Sequence, residues 1–218
     1  MLKFFYNPIS VNARRVWIAL IEKQILFEPV LVNLDGDQFN QEFTAINPLQ
    51  RIPVIVDNGF RVVESLAILD YLEAKYPNPS LMPTEPEDIA IVRMVNMVAI
   101  NELQLATITL SRPLVGLETS QEKLEMARER AIAVLQFYES LLVGKSYFVE
   151  DKIMLCEVVV GTLVPSIPLY GLSLEPYPNL NAWSQRLQER ASWQQTTPND
   201  RAIESALPNI RKILERRS

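Results

Sequence analysis

Two neighbouring polar residues could hold the head group of an amino acid. Glu64 and Ser65 directly precede residues 66–76, whose apolar positions 66, 69 and 72 mark one helical face, and Pro77 closes the helix. Ser65 is therefore the expected N-cap. The N–H groups of a helix start suit a carboxylate, and Glu64 suits an ammonium group. A capped helix with a solvated glutamate explains the same two residues, so the residues alone leave both interpretations open.

The stretch before this helix predicts a tight β-hairpin. Residues 54–56 and 60–63 are short β-branched and aromatic runs, and Asn58-Gly59 between them accepts the positive φ of a tight turn. Pro53 has no N–H, so it fits only at the first position of its strand. A cis bond before Pro53 would leave the backbone of Ile52 available to another chain. The alternative interpretation is an ordinary trans proline at the start of a strand.

The beginning of the chain predicts a right-handed βαβ unit. An apolar strand, an amphipathic helix and a second strand follow one another at residues 2–6, 11–24 and 27–34. Ser10 stands just ahead of the helix as its cap, and we expect Arg14 and Arg15 to point outward. Strands connected in this way are parallel, and the hairpin adds two more strands to the same sheet.

A proline-rich segment separates this region from a helical one. Pro77, Pro79, Pro83 and Pro86 exclude both a helix and a central strand. We therefore place a first domain at residues 1–78, a linker at 79–86 and an all-α domain at 87–218. The helices of the second domain are expected near residues 87–110, 121–143, 155–166, 179–190 and 200–216. A stripe at helical spacing should form its core, namely Ala131, Leu135, Tyr138 and Leu142.

Composition excludes several classes of function. The chain has 218 residues, a formal charge of -5, one cysteine and no histidine. The negative charge argues against nucleic-acid and anionic-membrane partners. Without histidine, and with Cys156 as the single thiol, we expect no disulfide, no metal site and no histidine-dependent hydrolase. No secretory signal is recognised, and the most apolar stretch, residues 89–110, is interrupted by charged and amide side chains, so a soluble cytoplasmic protein is expected.

Four stretches in order resemble the cytosolic glutathione S-transferase family, in its serine-type, bacterial-like form. They are residues 8–16 (PISVNARRV), 47–53 (NPLQRIP), 64–68 (ESLAI) with Tyr71-Leu72, and Pro178-Asn179-Leu180 with Trp183, Arg190 and Trp193. The resemblance covers nearly the whole chain. It implies an α/β thioredoxin-like N-terminal domain, βαβ-ββα with a four-stranded mixed sheet, followed by an all-α helical bundle.

The resemblance also implies a glutathione site in the first domain. Ser65 and its helix N–H groups would bind the γ-glutamyl carboxylate, with Glu64 near the ammonium group. The main chain of Ile52, before a cis Pro53, would pair with the cysteinyl backbone by strand addition. Gln50 and Arg51 would lie at the glycyl end.

Ser10 is the expected catalytic residue. Its hydroxyl would donate a hydrogen bond to the thiolate of glutathione at the start of the first helix. With no histidine to deprotonate it, Ser10 is a poor nucleophile itself. A simple N-cap is the alternative role, and Asn12 or Tyr6 could replace Ser10 as the thiolate donor.

The resemblance implies a homodimer and a small hydrophobic electrophile bound between the domains. The expected walls of its pocket are Ile9, Leu103, Thr107 and Ile108, with membership of the core as the alternative. Glutathione is a co-substrate, and no permanently bound cofactor is expected. The predicted function is thiolate activation and conjugation in detoxification. A glutathione-dependent peroxidase or thiol reductase, or a non-catalytic binding protein, remain alternatives.

Some positions depart from the family pattern. Met154-Leu155-Cys156-Glu157 replaces a Ser/Thr-x-x-Asp capping box and keeps only its acidic end, Glu157, so this folding signal is expected to be weaker. Ile9 and Val11 flank Ser10 where isomerase-type relatives carry a Ser-Cys-rich entry, which argues against that chemistry. Cys156 lies among apolar residues and should be a buried, inert thiol.

Overall fold

The computed structural model describes residues 1–149 and 151–216. Its strands are β1 Leu2–Tyr6, β2 Phe27–Leu31, β3 Val54–Asp57 and β4 Phe60–Val63. Its α-helices are α1 Val11–Glu22, α2 Gln41–Ile46, α3 Ser65–Lys75, α4 Pro86–Val98, α5 Gln104–Ser111, α6 Gln121–Leu142, α7 Leu155–Val160, α8 Pro178–Gln188, α9 Ala191–Thr196 and α10 Asp200–Glu215. A π-helical turn spans Ala99–Leu103, and 3-10 turns span Asp37–Phe39, Pro113–Val115 and Val164–Tyr170.

The chain divides into two compact units. Unit 1 contains Met1–Leu81 together with Ser192–Glu204, and unit 2 contains Met82–Ala191 and the chain from Ser205. The predicted helical domain, residues 87–218, includes Ser192–Glu204, because the periodicity of this segment is helical. Threonine and serine hydroxyls join the segment to the rest of unit 1, and they carry no signal in a hydrophobic pattern.

Unit 1 contains the predicted four-stranded mixed sheet. The strand order is β2-β1-β3-β4, with β1 and β2 parallel and both β1–β3 and β3–β4 antiparallel. The βαβ unit and the hairpin are therefore confirmed. Asn58 and Gly59 have φ of 49° and 86°, as a tight hairpin turn between right-twisted strands requires.

Both faces of the sheet are covered by helices. Successive strand residues point to opposite faces, so Phe4 and Tyr6 share one face and Phe5 lies on the other. The ring of Tyr6 meets that of Trp17 in α1 edge-on, with 5.0 Å between centroids. Phe5 instead packs against the cluster that contains Phe43 of α2.

The arginines of α1 are less exposed than the sequence predicted. Arg15 is fully buried and donates from Nη1 to Oδ1 of Asn12 at 2.9 Å, and Arg14 is half-buried. The outward prediction is therefore wrong for Arg15. A long aliphatic stem lets an arginine cover apolar surface, so its charge is a weak guide to the direction in which it points.

Buried polar groups fix α3 to the sheet and to α1. The buried carboxylate of Asp57, at the end of β3, accepts hydrogen bonds from the hydroxyls of Tyr71 and Tyr76 at 2.9 and 2.8 Å. Burial and the bond to Asp57 raise the pKa of Tyr76 to about 12. Lys23, at the end of α1, forms a 2.7 Å ion pair with Glu73 of α3.

Unit 2 is built around α6. Its predicted core stripe is confirmed, because Ala131, Leu135, Tyr138 and Leu142 are all buried. Tyr138 also donates its hydroxyl to the carbonyl of Val95 in α4 at 3.0 Å. The predicted all-α character of this region is therefore confirmed among the residues that the structure describes.

Two predicted helices of unit 2 are interrupted. The helix predicted at 87–110 continues from α4 into α5 only through the π-helical turn Ala99–Leu103. The helix predicted at 155–166 ends at Val160, because Gly161 follows and Pro165 cannot donate the next helical hydrogen bond.

One helical stretch of unit 2 could cross a membrane on length and composition alone. It runs over 30 residues, Pro86–Val115, and includes the buried side chains of Val92, Val95 and Leu103. Core helices of soluble proteins pass the same test, so this stretch is weak evidence for a membrane span.

The start of α7 keeps its capping box despite the departure in sequence. The carboxylate of the buried Glu157 accepts from the backbone N–H of Met154 at 2.9 Å and of Phe148 at 2.8 Å. The side chain of Met154 accepts from the backbone N–H of Glu157, which is the other hydrogen bond of the box. The acidic end of the box is therefore retained at Glu157, as the sequence indicates, and this side chain satisfies two buried donors. Burial raises the pKa of Glu157, and burial and Glu157 raise that of Cys156, so this thiol is inert.

Replacing Glu157 should destabilise the fold. Glu157→Ala leaves two buried N–H groups without an acceptor, so we expect the free energy of unfolding to fall by about 2–5 kcal/mol. Urea denaturation followed by circular dichroism measures the change. Glu129→Ala, at an exposed position of α6, is the matched control and should stay within about 0.5 kcal/mol of the parent. Equal stability of both variants would contradict a structural role for this carboxylate.

Candidate functional site

Strand register gathers the predicted polar residues at one edge of the sheet. The end of β1 lies beside the start of β3, because Phe5 pairs with Val54, and Val54 pairs in turn with Val63 at the end of β4. The loop after β1 carries Ser10, the loop before β3 carries Ile52, and the turn after β4 carries Glu64-Ser65. Three adjacent strands thus bring these segments to the same edge.

Ser10 is the N-cap of α1, as predicted. Its Oγ accepts a hydrogen bond from the N–H of Ala13 at 3.2 Å. The turn before it is held by Asn7, whose side chain donates to the carbonyl of Val32 and accepts from the N–H of Ile9. Within residues 1–149 and 151–216 the Ser10 hydroxyl proton has no acceptor, so it is available to a ligand.

The two alternative thiolate donors have different surroundings. The Asn12 side-chain oxygen accepts from the guanidinium of Arg15, so that this amide is partly engaged in the fold. The ring of Tyr6 packs in an aromatic cluster. It stacks on the ring of Phe4 with 5.1 Å between centroids and meets the ring of Trp17 edge-on. Ser10 is thus the one of the three that caps a helix and retains a donor.

Asn47 shapes the loop before β3. It is buried, its Oδ1 accepts from the N–H of Leu49 and its Nδ2 donates to the carbonyl of Arg51 at 2.7 Å. Gln50 has a positive φ of 55° and contacts the Thr44 hydroxyl at 3.4 Å. The sequence predicts a turn at Asn7-Pro8 and includes Asn47 in the motif before Pro53, but it does not predict the hydrogen bonds that the two asparagine side chains make.

The Ile52–Pro53 peptide bond is cis, as expected. In the part of the chain that the structure describes, the main chain of Ile52 makes no hydrogen bond. Its N–H and carbonyl can therefore pair with an extended ligand. The neighbouring Arg51 is exposed, and its guanidinium has no partner among the described residues.

The turn after β4 differs from the prediction in one respect. Glu64, not Ser65, occupies the N-cap position, and Ser65 is the first residue of α3 and is buried. Glu64 has φ 68° and ψ 122°, a conformation that costs energy for a residue with a side chain. Such strain is typical of functional sites. Because a hydrophobic pattern carries no φ, sequence reasoning could not separate the two positions.

The start of α3 is open among the residues that the structure describes. Neither Glu64 nor Ser65 caps with its side chain, so the first N–H groups are available to an anion. The exposed Glu64 carboxylate stands beside them and suits a cation. This edge of the sheet can therefore hold a zwitterionic head group at β4, an extended backbone at Ile52 and an anion near Ser10.

The predicted pocket residues fall in both units. Ile9 belongs to the β1–α1 turn of unit 1 and is half-buried. In unit 2, Leu103 ends the π-helical turn, Thr107 donates its hydroxyl to the carbonyl of Gln104, and both are buried, whereas Ile108 is half-exposed. Their role as pocket walls stays a prediction. No cluster of three potential metal-binding side chains occurs in the described residues.

The chain resembles known proteins over nearly its full length. Residues 4–80 match the glutathione S-transferase N-terminal domain and residues 88–191 the C-terminal domain. Maleylacetoacetate isomerase of Rattus norvegicus is 31% identical over 84% of this chain and 86% of its own. Glutathione S-transferase F10 of Arabidopsis thaliana is 28% identical over 90% of this chain and 97% of its own.

Solved structures share the fold. A glutathione S-transferase from Methylobacillus flagellatus, solved with glutathione bound, is 25% identical with a TM-score of 0.80, covering 91% of this chain and 100% of that one. With both domain matches in order and the helix-start, cis-proline and strand-edge geometry in place, the chain belongs to the glutathione S-transferase family.

Proposed function

We propose that this protein is a glutathione transferase of the serine type, which binds glutathione in unit 1 and conjugates its sulfur to a small hydrophobic electrophile. The observation that carries the proposal is the convergence of Ser10, Ile52 and Glu64-Ser65 at one sheet edge. Glutathione is a co-substrate here rather than a resident cofactor.

The size of this edge suits a tripeptide. Neighbouring strands are about 4.8 Å apart, so the ends of β1 and β4, with β3 between them, lie about 10 Å from one another. Three extended residues span about 10 Å. Glutathione laid across the edge would have its γ-glutamyl head at Ser65, its cysteinyl backbone at Ile52 and its thiol toward Ser10.

The charges fit the two ends of glutathione. The open N-terminus of α3 suits the γ-glutamyl carboxylate, and Glu64 suits the neighbouring ammonium group. The unpartnered guanidinium of Arg51, with Gln50 beside it, suits the glycyl carboxylate. Each end of the ligand would thus meet a group of opposite charge.

The chemical demand on Ser10 is moderate. A free thiol has a pKa of about 8.5, and lowering it by about two to make it mostly thiolate at neutral pH takes about 2.7 kcal/mol. One charge-assisted hydrogen bond gives about 1.5–3 kcal/mol and a helix N-terminus about 0.3–1 kcal/mol more. The Ser10 hydroxyl and the N-terminus of α1 together can therefore supply the free energy that lowers the thiol pKa. The thiolate would then add to the electrophile, forming the new carbon–sulfur bond.

Two rival functions remain on the same site. A glutathione peroxidase or thiol reductase would use the same thiolate against another acceptor, and a non-catalytic binding protein would hold glutathione without turnover. The name of the rat relative adds an isomerase acting on maleylacetoacetate. Conjugation consumes glutathione mole for mole, whereas isomerisation leaves it unconsumed, so a glutathione balance separates the two reactions.

We also propose a cytoplasmic homodimer. Support for the dimer comes from an apolar surface of unit 2, formed by Met94 and Met97, which are one turn apart on α4, and by Leu105 on α5; they are 40%, 46% and 51% exposed. Exposed apolar side chains grouped in this way are typical of interaction sites.

The proposal predicts a depressed thiol pKa. In a pH titration of ultraviolet thiolate absorbance, glutathione bound to the protein should ionise about two pH units below free glutathione. Ser10→Ala should raise the bound pKa and lower kcat about 10–100-fold with little change in glutathione affinity, because it removes one charge-assisted hydrogen bond. Ser173→Ala, at an exposed position of unit 2, is the control. An unshifted pKa in the parent protein would sink the transferase proposal.

Ser65→Ala should act on binding instead of chemistry. Losing a hydrogen bond to the γ-glutamyl carboxylate should raise the dissociation constant of glutathione about tenfold, measured by calorimetry, with the thiol pKa of the bound fraction unchanged. An unaltered dissociation constant would remove Ser65 from the site.

A charge on the apolar surface should dissociate the dimer. Met97→Glu should shift the mass measured by light scattering from dimer to monomer, because burying an unpaired carboxylate in an interface is costly. Leu26→Glu, at an 89% exposed position in unit 1, is the control and should leave the mass unchanged. A Met97→Glu protein that remains dimeric would place the interface elsewhere.

A further inference from the structure

Arg14 is a half-buried cation without an acidic partner. Its Nε donates to the hydroxyl of Thr196 at 3.3 Å and its Nη2 to the hydroxyl of Thr197 at 2.6 Å. No carboxylate pairs with it in residues 1–149 or 151–216. Desolvation lowers the pKa of Arg14 to about 10, so it stays charged at neutral pH while lacking a counter-charge.

The two threonines hold the guanidinium in place. The Thr196 hydroxyl donates to the carbonyl of Ser192 at 2.8 Å, and the Thr197 hydroxyl donates to that of Trp193 at 2.7 Å. Both oxygens are thereby oriented to accept from Arg14. A guanidinium carries five N–H donors, and three of them have no acceptor in the described part of the chain.

Arg14 lies one helical turn after Ser10 on the same face of α1. Residues four apart lie on the same face one turn from each other, and helical side chains lean toward the N-terminus. Arg14 is four residues after Ser10, and its N–H donates to the Ser10 carbonyl. The first turn of α1 contains no acidic residue that could compensate the charge.

We propose that Arg14 is an anion-binding residue of the active site, which recognises a carboxylate on the electrophile. This inference rests on the proposed transferase function and names a class of acceptor, an apolar molecule that carries a carboxylate near its reactive carbon. A planar guanidinium with several free N–H groups matches the two oxygens of a carboxylate. The thiolate already has the Ser10 hydroxyl and the N-terminus of α1.

A matched pair of acceptors tests the proposal. 2-Chloro-3,5-dinitrobenzoate and 2-chloro-3,5-dinitrobenzamide carry the carboxylate or the amide on the ring atom next to the reactive carbon. They share one reaction, in which the glutathione sulfur bonds to that ring carbon and chloride leaves with the electron pair of the carbon–chlorine bond. Their kcat/KM values are each divided by the rate constant with free glutathione, which removes the difference in intrinsic reactivity. We expect the parent protein to prefer the benzoate about tenfold, as one charge-assisted contact allows.

Arg14→Gln should abolish this preference. Its normalised kcat/KM should fall about tenfold or more with the benzoate and less than about twofold with the benzamide. Arg14→Lys keeps the charge without the planar fork and should retain part of the preference. Lys75→Gln removes an exposed positive charge from the same unit and should leave both values unchanged.

Other outcomes overturn the inference in distinguishable ways. A parent protein without preference for the benzoate contradicts it even if the variant fails to fold. Equal losses with both acceptors, together with a raised thiol pKa of bound glutathione, would mean that Arg14 serves the thiolate instead. Failure of the transferase function itself would appear separately, as an unshifted thiol pKa and no conjugation of either acceptor.

Discussion

Antiparallel pairing of β3 with both β1 and β4 is the constraint on which the site depends. A parallel neighbour would send its loop to the opposite edge of the sheet, whereas this arrangement brings the end of β1, the start of β3 and the end of β4 together. Three short segments that are distant in sequence thereby become adjacent. Their spacing is set by backbone hydrogen bonds and is independent of the side chains that do the chemistry.

Electrostatics adds a direction to this geometry. Open N–H groups and Glu64 lie at the β4 end, and the loop before β3 carries the exposed guanidinium of Arg51. A ligand that is zwitterionic at one end and anionic at the other suits one orientation across the strands. The reverse orientation would set its ammonium group against the guanidinium of Arg51.

The parts of the fold that follow from local rules could be predicted from the sequence. Alternating runs, Asn58-Gly59 and a strand-initial Pro53 fix the sheet, and periodic stripes fix most helices of unit 2. Arg15 could not be predicted, because its burial depends on packing. The predicted N-cap, Ser65, lies one residue after the observed N-cap, Glu64, because the backbone angles of Glu64 decide where the helix begins. The acidic half of the capping box at Glu157 could be predicted, whereas the acceptor role of Met154 could not, because a thioether is an unusual acceptor.

The site residues divide in the same way. Ser10 could be found because a cap directly precedes a periodic helix, and the cis Ile52–Pro53 bond because of the motif around it. Asn7 holds its turn through a hydrogen bond to the backbone of Val32, 25 residues away, which no local pattern contains. Asn47 shapes its loop through hydrogen bonds to backbone groups within four residues. The surroundings of Arg14 could not be predicted from the sequence, because its threonine partners lie about 180 residues later in the chain.

The anchoring of α3 has a consequence for the entropy of ligand capture. Asp57 holds the hydroxyls of Tyr71 and Tyr76, and Lys23 holds Glu73, so polar contacts anchor the second half of this helix. The buried side chains of Ser65, Ile68 and Leu69 pack its first half into the core. Its open N-terminus is therefore held by contacts within the protein itself. An incoming head group loses its own freedom but does not have to order the helix, and more of the contact energy is expressed as affinity.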